Sequence, residues 1–368
     1  MNRIFYILLF FCLTIGEDFF AQKQEKSNLK HEIESSGIIC EATIENAKTI
    51  FEEGNYEECI SLLNSALQTC DFKKKKKEKI LEMIINANLE RDNLASADSG
   101  FQKLLLNNPD YSIEDYSGID EFPRLLKQYY IYPTSSINLF IQPTFQKVIS
   151  SKIYKVRNQV DYNSNFNSPI LLNYALRFEK SLSEHFALHL ESGFNKTTYE
   201  REIRDESWAI KIRENNQYAQ LNLGTKRLFN TDKKWNFYLG IYVGGQYLLN
   251  NSISILQEEQ KLNNPFGYEL SSIRSEIQSY DFSNARSYFI YFTGLQAGVS
   301  RRIGNWSFSL EASSNFSLNT INDKARRFQD DKLIENFSYI DNDMKMTNTS
   351  LNLGIGRYFD YKVKKYKK

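Results

Sequence analysis

The stretch Trp235–Tyr247, WNFYLGIYVGGQY, alternates large apolar residues with small or polar residues at every second position. One set comprises Trp235, Phe237, Leu239, Ile241 and Val243, and the other comprises Asn236, Tyr238, Gly240, Tyr242 and Gly244. Successive side chains of a strand point to opposite faces. The stretch is therefore predicted to be a β-strand with one apolar face and one face of small and polar residues.

Seven further segments with the same alternation extend this strand into a predicted antiparallel β-barrel of about eight strands, between residues 135 and 361. They are Ile137–Phe145, Leu172–Lys180, Phe186–Phe194, Tyr218–Leu228, Tyr288–Arg301, Trp306–Leu318 and Ser350–Tyr361. Alternation alone leaves two arrangements open. A soluble lipocalin-like barrel turns its apolar face inward, whereas a membrane barrel turns that face outward to lipid.

The connections between these segments favour the membrane arrangement, because long and short connections alternate. The long ones are 146–171, 195–217, 248–287 and 319–349, and the short ones are 181–185, 229–234 and 302–305. Membrane barrels combine long outer loops with short periplasmic turns and carry aromatic residues at both interfaces. A periplasmic aromatic girdle is accordingly predicted from Trp235, Trp306, Phe359 and Tyr361.

The N-terminal residues 1–21 are predicted to be a cleaved signal peptide. Arg3 supplies a positive start, and the apolar run Ile4–Ile15 is shorter than the roughly 20 residues that a membrane-spanning helix needs. A polar linker is expected over residues 22–39. Export would place the mature chain in a compartment where disulfides can form.

Residues 40–131 are predicted to form a helical domain that contains an internal repeat. Gly54, Cys59, Leu63 and Ala66 are matched, 38 positions later, by Asp92, Ala97, Phe101 and Leu104. The spacing of small and apolar residues resembles the tetratricopeptide pattern of paired helices. An unrelated bundle of four or five helices is the alternative.

The cysteines of this domain point to one disulfide. Cys40 precedes the first predicted helix and Cys70 ends the second, and these two ends lie close together in an antiparallel hairpin. A Cys40–Cys70 disulfide is therefore expected, while Cys59 lies on an apolar face and is expected to be buried.

The C-terminal region resembles the small outer-membrane β-barrel superfamily. Gly356, Phe359 and Tyr361 resemble the C-terminal assembly signal of such barrels, although a basic tail over residues 362–368 follows them. The order of helical domain and barrel resembles proteins of gliding and surface-associated Gram-negative bacteria. The resemblance implies an α + β multidomain chain, with a tetratricopeptide-like helical hairpin domain in the periplasm and a transmembrane barrel in the outer membrane.

The ionisable residues exclude several functional classes. Lys plus Arg number 46 and Asp plus Glu number 45, so no net field favours nucleic acid, and only three His are present. Arg177, Glu179, His189, Glu191 and Glu311 are predicted to face the lumen, where charges must pair with one another. A metal site at His185, His189 and Glu191 is an alternative, but we expect no metal site, cofactor or catalytic set.

The function expected from these features is a membrane anchor and binding or scaffold protein. The barrel would contact outer-membrane lipid, and residues 40–131 would recruit a periplasmic protein partner. One alternative is a transport or gating component of an outer-membrane assembly, and a lipid-modifying enzyme is less well supported. The lysine run Lys73–Lys77 fits either a solvated turn or a contact with an acidic partner.

Overall fold

The computed structural model describes residues 29–113, 116, 118–154, 165–204, 208–230, 233–259, 273–328, 331–337 and 340–366. The expected signal peptide, residues 1–21, lies outside the described residues. The chain divides into two compact units: Met1–Tyr130 with Val363–Lys368, and Ile131–Lys362.

The first unit is helical. Its helices are α1 (Leu29–Glu52), α2 (Tyr56–Thr69), α3 (Lys74–Glu90), α4 (Leu94–Asn107) and the short α5 (Glu121–Leu126). The first helix begins inside the segment 22–39, which was predicted to be a linker. Leu29, Lys30 and Glu32 are strong helix formers, so the polarity of this segment does not prevent it from being helical.

The turns between α1 and α2 and between α3 and α4 have the same geometry. Gly54 and Asp92, which are 38 positions apart, both have a positive φ, at 81° and 55°. In each turn the next residue donates its backbone N–H to a carbonyl five residues earlier: Asn55 to Ile50 at 3.0 Å, and Asn93 to Asn88 at 2.8 Å. The sequence repeat thus corresponds to two helical hairpins with matching turns.

The interior of the helical unit is apolar. The repeat positions Cys59, Leu63, Ala97 and Phe101 are fully buried. Aromatic rings that follow α4 pack around Phe101: its ring centroid lies 4.9 Å from that of Phe122 and 5.6 Å from that of Tyr129. This unit is therefore held together by a conventional hydrophobic core.

The second unit is an antiparallel sheet whose pairings form a ring. Its strands are β1 (Tyr129–Lys152), β2 (Asn165–Asn167), β3 (Leu171–Ser181), β4 (Phe186–Arg204), β5 (Trp208–Phe229), β6 (Trp235–Glu259), β7 (Ile273–Tyr280), β8 (Phe289–Ile303), β9 (Trp306–Ser317) and β10 (Asp343–Lys365). Eight of them pair in the order β1, β3, β4, β5, β6, β8, β9 and β10, and β10 also neighbours β1. The short β2 pairs with β4, and β7 pairs with β6. The unit is an eight-stranded antiparallel barrel.

The strands extend well beyond their predicted ends, so several segments predicted as loops are paired sheet. The β4–β5 ladder runs from Phe186 opposite Arg227 to Arg204 opposite Ala209 and includes most of the segment 195–217. Outward residues in this part become polar, as at Lys196 and Arg213. Backbone pairing continues there although the apolar alternation that revealed the strand has ended.

The predicted C-terminal boundary also moves. Strand β10 continues to Lys365, so most of the segment 362–368, predicted as a basic tail, is strand. The end of this strand, from Val363, belongs to the helical unit, where the N–H of Tyr366 donates to the carbonyl of Gln128 at 2.8 Å. The barrel strands likewise begin earlier than residue 135, because β1 starts at Tyr129.

A second apolar cluster lies among the long ends of the barrel strands. A helix α6 (Asp331–Phe337) and a 3-10 turn (Ser283–Ala285) contribute Leu333, Phe337 and Ala285 to it, and strand residues such as Ile210 and Ile253 complete it. In the part of the chain that the structure describes, no helix is both long and apolar enough to span a membrane.

Candidate functional site

The outer face of the barrel is a continuous apolar belt. Leu239, Ile241 and Val243 of β6 are 57 to 58% exposed, and every other described strand of the eight-stranded ring has at least one large apolar residue on the same face. Examples are Leu139, Leu176, Leu190, Leu223, Leu295, Leu310 and Leu353. Each alternates with an inward residue that is buried or partly buried. A contiguous exposed apolar surface of this extent marks an interaction surface rather than a water-facing one.

The inner face is polar and has Arg177 at its centre. Its Nε donates to Glu191 Oε2 at 2.8 Å, and its two terminal nitrogens donate to the two carboxylate oxygens of Glu311 at 2.6 and 2.8 Å. The guanidinium carbon also lies 4.3 Å from the ring centroid of Phe140. Arg177 thus binds one carboxylate in the bidentate geometry that guanidinium groups favour.

Two residues that sequence reasoning did not assign extend this cluster. Lys226 donates to Glu179 Oε1 at 2.6 Å, and the hydroxyl of Tyr238 donates to Glu311 Oε2 at 3.0 Å. The alternation within the predicted strand Tyr218–Leu228 placed Lys226 on the face of Asn222, and this was the available signal. We call Arg177, Glu179, Glu191, Lys226 and Glu311 the lower ion cluster.

The two histidines at the start of β4 have different surroundings. His189 is inward and 2% exposed, and its ring lies edge-on to that of Tyr242 with a centroid separation of 6.5 Å. His185 precedes β4 in a short turn, and its side chain is exposed. Among the described residues, no group of three or more His, Cys, Asp or Glu side chains could hold a metal ion.

A second buried ion cluster lies where the strands extend beyond the apolar belt. Arg286 Nε donates to Glu214 Oε1 at 2.5 Å, and a terminal nitrogen of Arg286 donates to Asp341. Tyr199 donates its hydroxyl to Glu214, and the amide of Asn251 donates to Glu214 Oε1 at 2.6 Å. Sequence reasoning missed this upper ion cluster, because its residues lie in segments predicted as long loops.

Inward side chains near the lower ion cluster, such as Phe140, Asn173 and Gln296, are buried in the lumen. Two cavities of about 40 and 30 Å³ lie inside the barrel, the first beside Glu179 and Lys226 and the second beside Arg177 and His189. A buried water needs at least about 10–15 Å³ of such space. These cavities therefore have room for a few water molecules, as expected for a narrow barrel of eight strands.

The aromatic residues predicted to form a girdle lie at the short-turn end of the strands, which we call the short-turn rim. Trp235, Trp306 and Phe359 are about half exposed on the outer face. Tyr361 is partly buried, and its hydroxyl donates to Asn305 Oδ1 at 3.1 Å. Three of the four side chains are thus available to contact whatever surrounds the rim.

In the helical unit, Cys40 and Cys70 form a disulfide with a Cα–Cα distance of 6.1 Å. Cys59 is a buried free thiol, and burial raises its pKa to about 11. The lysine run enters the first turn of α3, and Lys76 donates to Glu41 at 2.6 Å. That hydrogen bond and the charge of Lys76 lower the pKa of the Glu41 carboxylate.

Comparisons with known proteins gave likenesses to solved structures alone. No family model matches the chain. No curated protein matches it either. Three solved structures cover similar shares of the chain: Neisserial surface protein A (12% identity, 61% of this chain and 97% of that chain, TM-score 0.29), the outer membrane protein AlkL in lipid bilayers (10%, 62% and 92%, 0.32), and the outer membrane protease OmpT from Escherichia coli (9%, 63% and 96%, 0.28). Such low TM-scores add nothing to the fold, which rests on the strand pairings of the chain itself.

Proposed function

We propose that this chain is an outer-membrane β-barrel protein whose barrel anchors a periplasmic, tetratricopeptide-like helical domain that binds a protein partner. One observation carries the membrane assignment: the barrel has its apolar side chains outside and its ionic side chains inside. In water, such an arrangement would expose leucines such as Leu239 and Leu353 and bury charges such as Arg177. In a bilayer, both preferences are satisfied.

The lengths of the connections support a periplasmic position of the helical unit. In barrels of this kind, periplasmic turns are short and outer loops are long. The turns that precede Phe186, Trp235 and Trp306 are short, whereas the opposite ends of the strands carry the long extensions and the upper ion cluster. The short-turn rim would then face the periplasm, and the helical unit, which precedes β1 at that rim, would be periplasmic.

The filled lumen favours an anchor over a transporter. Arg177 connects Glu191 on β4 with Glu311 on β9 in the lower ion cluster. In the upper ion cluster, Arg286 connects Glu214 on β5 with Asp341. A conducting path would require both clusters to open and would leave their charges unpaired. Stepwise conductance of the purified protein in planar bilayers would support the transport alternative instead.

The membrane assignment is tested by gel mobility of the full-length protein from isolated outer membranes, with and without boiling. We expect the protein in that fraction and a band whose mobility changes on boiling, because an intact barrel resists denaturant until it is heated. A protein that remains soluble and shows no mobility change would overturn the assignment.

The proposed partner is tested by photo-crosslinking in cells that express the full-length chain. The crosslinking residue replaces Leu94 or Leu106, which are 52% and 49% exposed in the helical unit. A control at Leu351 lies in the apolar belt. We expect a discrete protein adduct from the helical positions and none from Leu351; a lack of adducts from both helical positions would contradict partner binding.

A further inference from the structure

Three arginines occupy equivalent places on the outer face of the barrel at the short-turn rim. They are Arg227 on β5, Arg301 on β8 and Arg357 on β10, which are three of the strands that run toward the short-turn rim. Each of these arginines is exposed. Two residues further along, each of these strands has an outward apolar residue: Phe229, Ile303 and Phe359, respectively. The same order of an exposed arginine and, two residues later, an outward apolar residue thus occurs on three strands, at the ends of β5 and β8 and within the longer β10.

Each arginine is also paired, in the strand register, with the first residue of a neighbouring strand that runs away from the short-turn rim, and that first residue is aromatic. The register pairs are Arg227 with Phe186, Arg301 with Trp235, and Arg357 with Trp306. All three aromatic residues are exposed on the outer face. We call these three cross-strand pairs the arginine–aromatic ring.

The contacts of these arginines leave their charges available. The guanidinium carbon of Arg301 lies 5.2 Å from the ring of Trp235, and that of Arg227 lies 5.4 Å from the ring of Phe229. Among the described residues, no carboxylate forms an ion pair with Arg227, Arg301 or Arg357. The carboxylate of Asp360 at this rim is already paired with Lys180 at 3.5 Å.

The opposite border of the apolar belt is different. Its outward cations include Lys147, Lys196 and Lys345, which are exposed. In the described part of the chain, none of these lysines lies over an aromatic ring. Beyond that border, described guanidinium groups that lie over aromatic rings are buried, as are Arg201 over Phe166 at 5.7 Å and Arg327 over Tyr154 at 3.7 Å. An exposed guanidinium group beside an exposed aromatic ring therefore distinguishes the short-turn rim.

We propose that the arginine–aromatic ring binds the headgroup phosphates of anionic phospholipids in the leaflet at the short-turn rim. The proposal rests on the proposed function, because it requires the apolar belt to lie in a bilayer. Guanidinium groups bind phosphate oxygens in a bidentate geometry, and Trp and Phe rings lie at headgroup level in membrane proteins. The apolar stem of each arginine can lie along the belt while its charged end reaches the headgroups.

Tryptophan fluorescence reports on this rim directly. The chain has three tryptophans, and Trp208→Phe leaves only Trp235 and Trp306, both members of the arginine–aromatic ring. The full-length W208F protein is folded into phosphatidylcholine vesicles that contain a minor fraction of either brominated phosphatidylglycerol or brominated phosphatidylcholine. Brominated chains quench only nearby tryptophans, so the ratio of the two quenching efficiencies measures lipid preference at the rim.

We expect brominated phosphatidylglycerol to be enriched about fivefold at the rim at low ionic strength, as for one basic side chain near an anionic surface. In the W208F background, R227Q/R301Q/R357Q should remove this preference and keep the quenching by brominated phosphatidylcholine. The matched control K147Q/K196Q/K345Q removes three cations from the other border and should retain the preference. Mobility on unboiled gels verifies that each variant is folded.

Three results would overturn the proposal. Equal quenching by the two lipids in W208F would show that the rim has no preference for anionic headgroups. Loss of the preference in the lysine control would assign it to overall charge rather than to the arginine–aromatic ring. Absence of quenching by either lipid would instead refute the membrane-embedded barrel itself, so the two proposals fail in distinguishable ways.

Discussion

The barrel and the helical unit of this chain are built with opposite arrangements of polar and apolar side chains. The helical unit buries Leu63 and Phe101 completely and exposes Lys73, Lys74 and Lys75 at the start of α3. The barrel buries Arg177 and Glu311 and exposes leucines such as Leu353. In the membrane location proposed above, both units follow the same rule, because each exposes side chains whose polarity matches that of its surroundings.

The two interiors also differ in how sensitive they are to a single change. An apolar core loses free energy roughly in proportion to the atoms removed. An ionic interior depends on complete pairing, since removing one partner leaves the other charge buried without compensation. The lower ion cluster, where Arg177 serves two carboxylates, should therefore be the most sensitive part of the molecule.

Arg177→Met should have the largest effect. It removes the hydrogen bonds to Glu191 and Glu311 and leaves both carboxylates inside the barrel. We expect the free energy of unfolding of the barrel to fall by about 3–5 kcal/mol. The measurement is urea unfolding in lipid vesicles, followed by the mobility of unboiled samples on a gel.

Arg301→Met is the matched control for this prediction, because the same change at an exposed outward arginine should alter stability by at most about 1 kcal/mol. Equal losses in the two variants would show that the interior charges do not contribute to the stability of the barrel through pairing.

Two leucines of nearly equal exposure, one in each unit, should have unequal effects on stability. Leu353 in the apolar belt is 54% exposed, and Leu94 in the helical unit is 52% exposed. Leu353→Ala should cost about 2 kcal/mol of barrel stability in vesicles, because the lost atoms were transferred from water to lipid on folding. Leu94 faces water, so Leu94→Ala should change the stability of the helical unit by no more than about 0.5 kcal/mol.

The stability of L353A is measured by urea unfolding in vesicles, and that of L94A by hydrogen exchange of α4 in the full-length protein. If L353A proves as neutral as L94A, the outer face of the barrel does not gain free energy from lipid, and the inverted arrangement loses its physical basis.

The smallest effect should be a pH dependence that is confined to the helical unit. Burial raises the pKa of the Cys59 thiol from 9.0 to about 11. The folded-state pKa lies above the unfolded-state value. The contribution of this thiol to the free energy of unfolding of the helical unit is therefore complete below pH 9 and is lost as the pH rises through about 11. At pH 10 the expected loss is about 1.4 kcal/mol.

Hydrogen exchange of α2 and α3 between pH 8 and pH 10.5 measures this loss, after correction for the intrinsic exchange rate. Cys59→Ala is the control, since it retains the raised pKa values of Tyr111 and Tyr129 and lacks the thiol. Parallel stability curves for C59A and the parent protein would contradict the prediction.

Much of the candidate site could be predicted from residue spacing. The alternation in Leu172–Lys180 placed Arg177 and Glu179 on one face, and the same reasoning placed Glu311 on the corresponding face of its strand. The partners within the lower ion cluster could not be predicted, because they depend on which residues meet across the lumen. Lys226 pairs with Glu179 across 47 positions of sequence, a distance that no local pattern reveals.

The upper ion cluster shows where sequence reasoning failed. All three charged residues lie in segments predicted as loops: Glu214 is on β5, whereas Arg286 and Asp341 lie in connections between strands. On β5 the outward residues there are polar and the hydrophobic alternation stops. The strands continue nevertheless, since each backbone group finds its partner on the neighbouring strand. Hydrophobicity revealed the belt and could not reveal the paired sheet beyond it.

Residue spacing alone predicts the two kinds of secondary structure, the repeat in the helical unit and the alternation that assigns each barrel residue to one of two faces. These are local properties, because they depend on a period of two or of about 3.6 residues. Only the folded structure reveals where the strands end and which charges pair. Those outcomes depend on contacts between residues far apart in sequence, where register and ring formation select the partners.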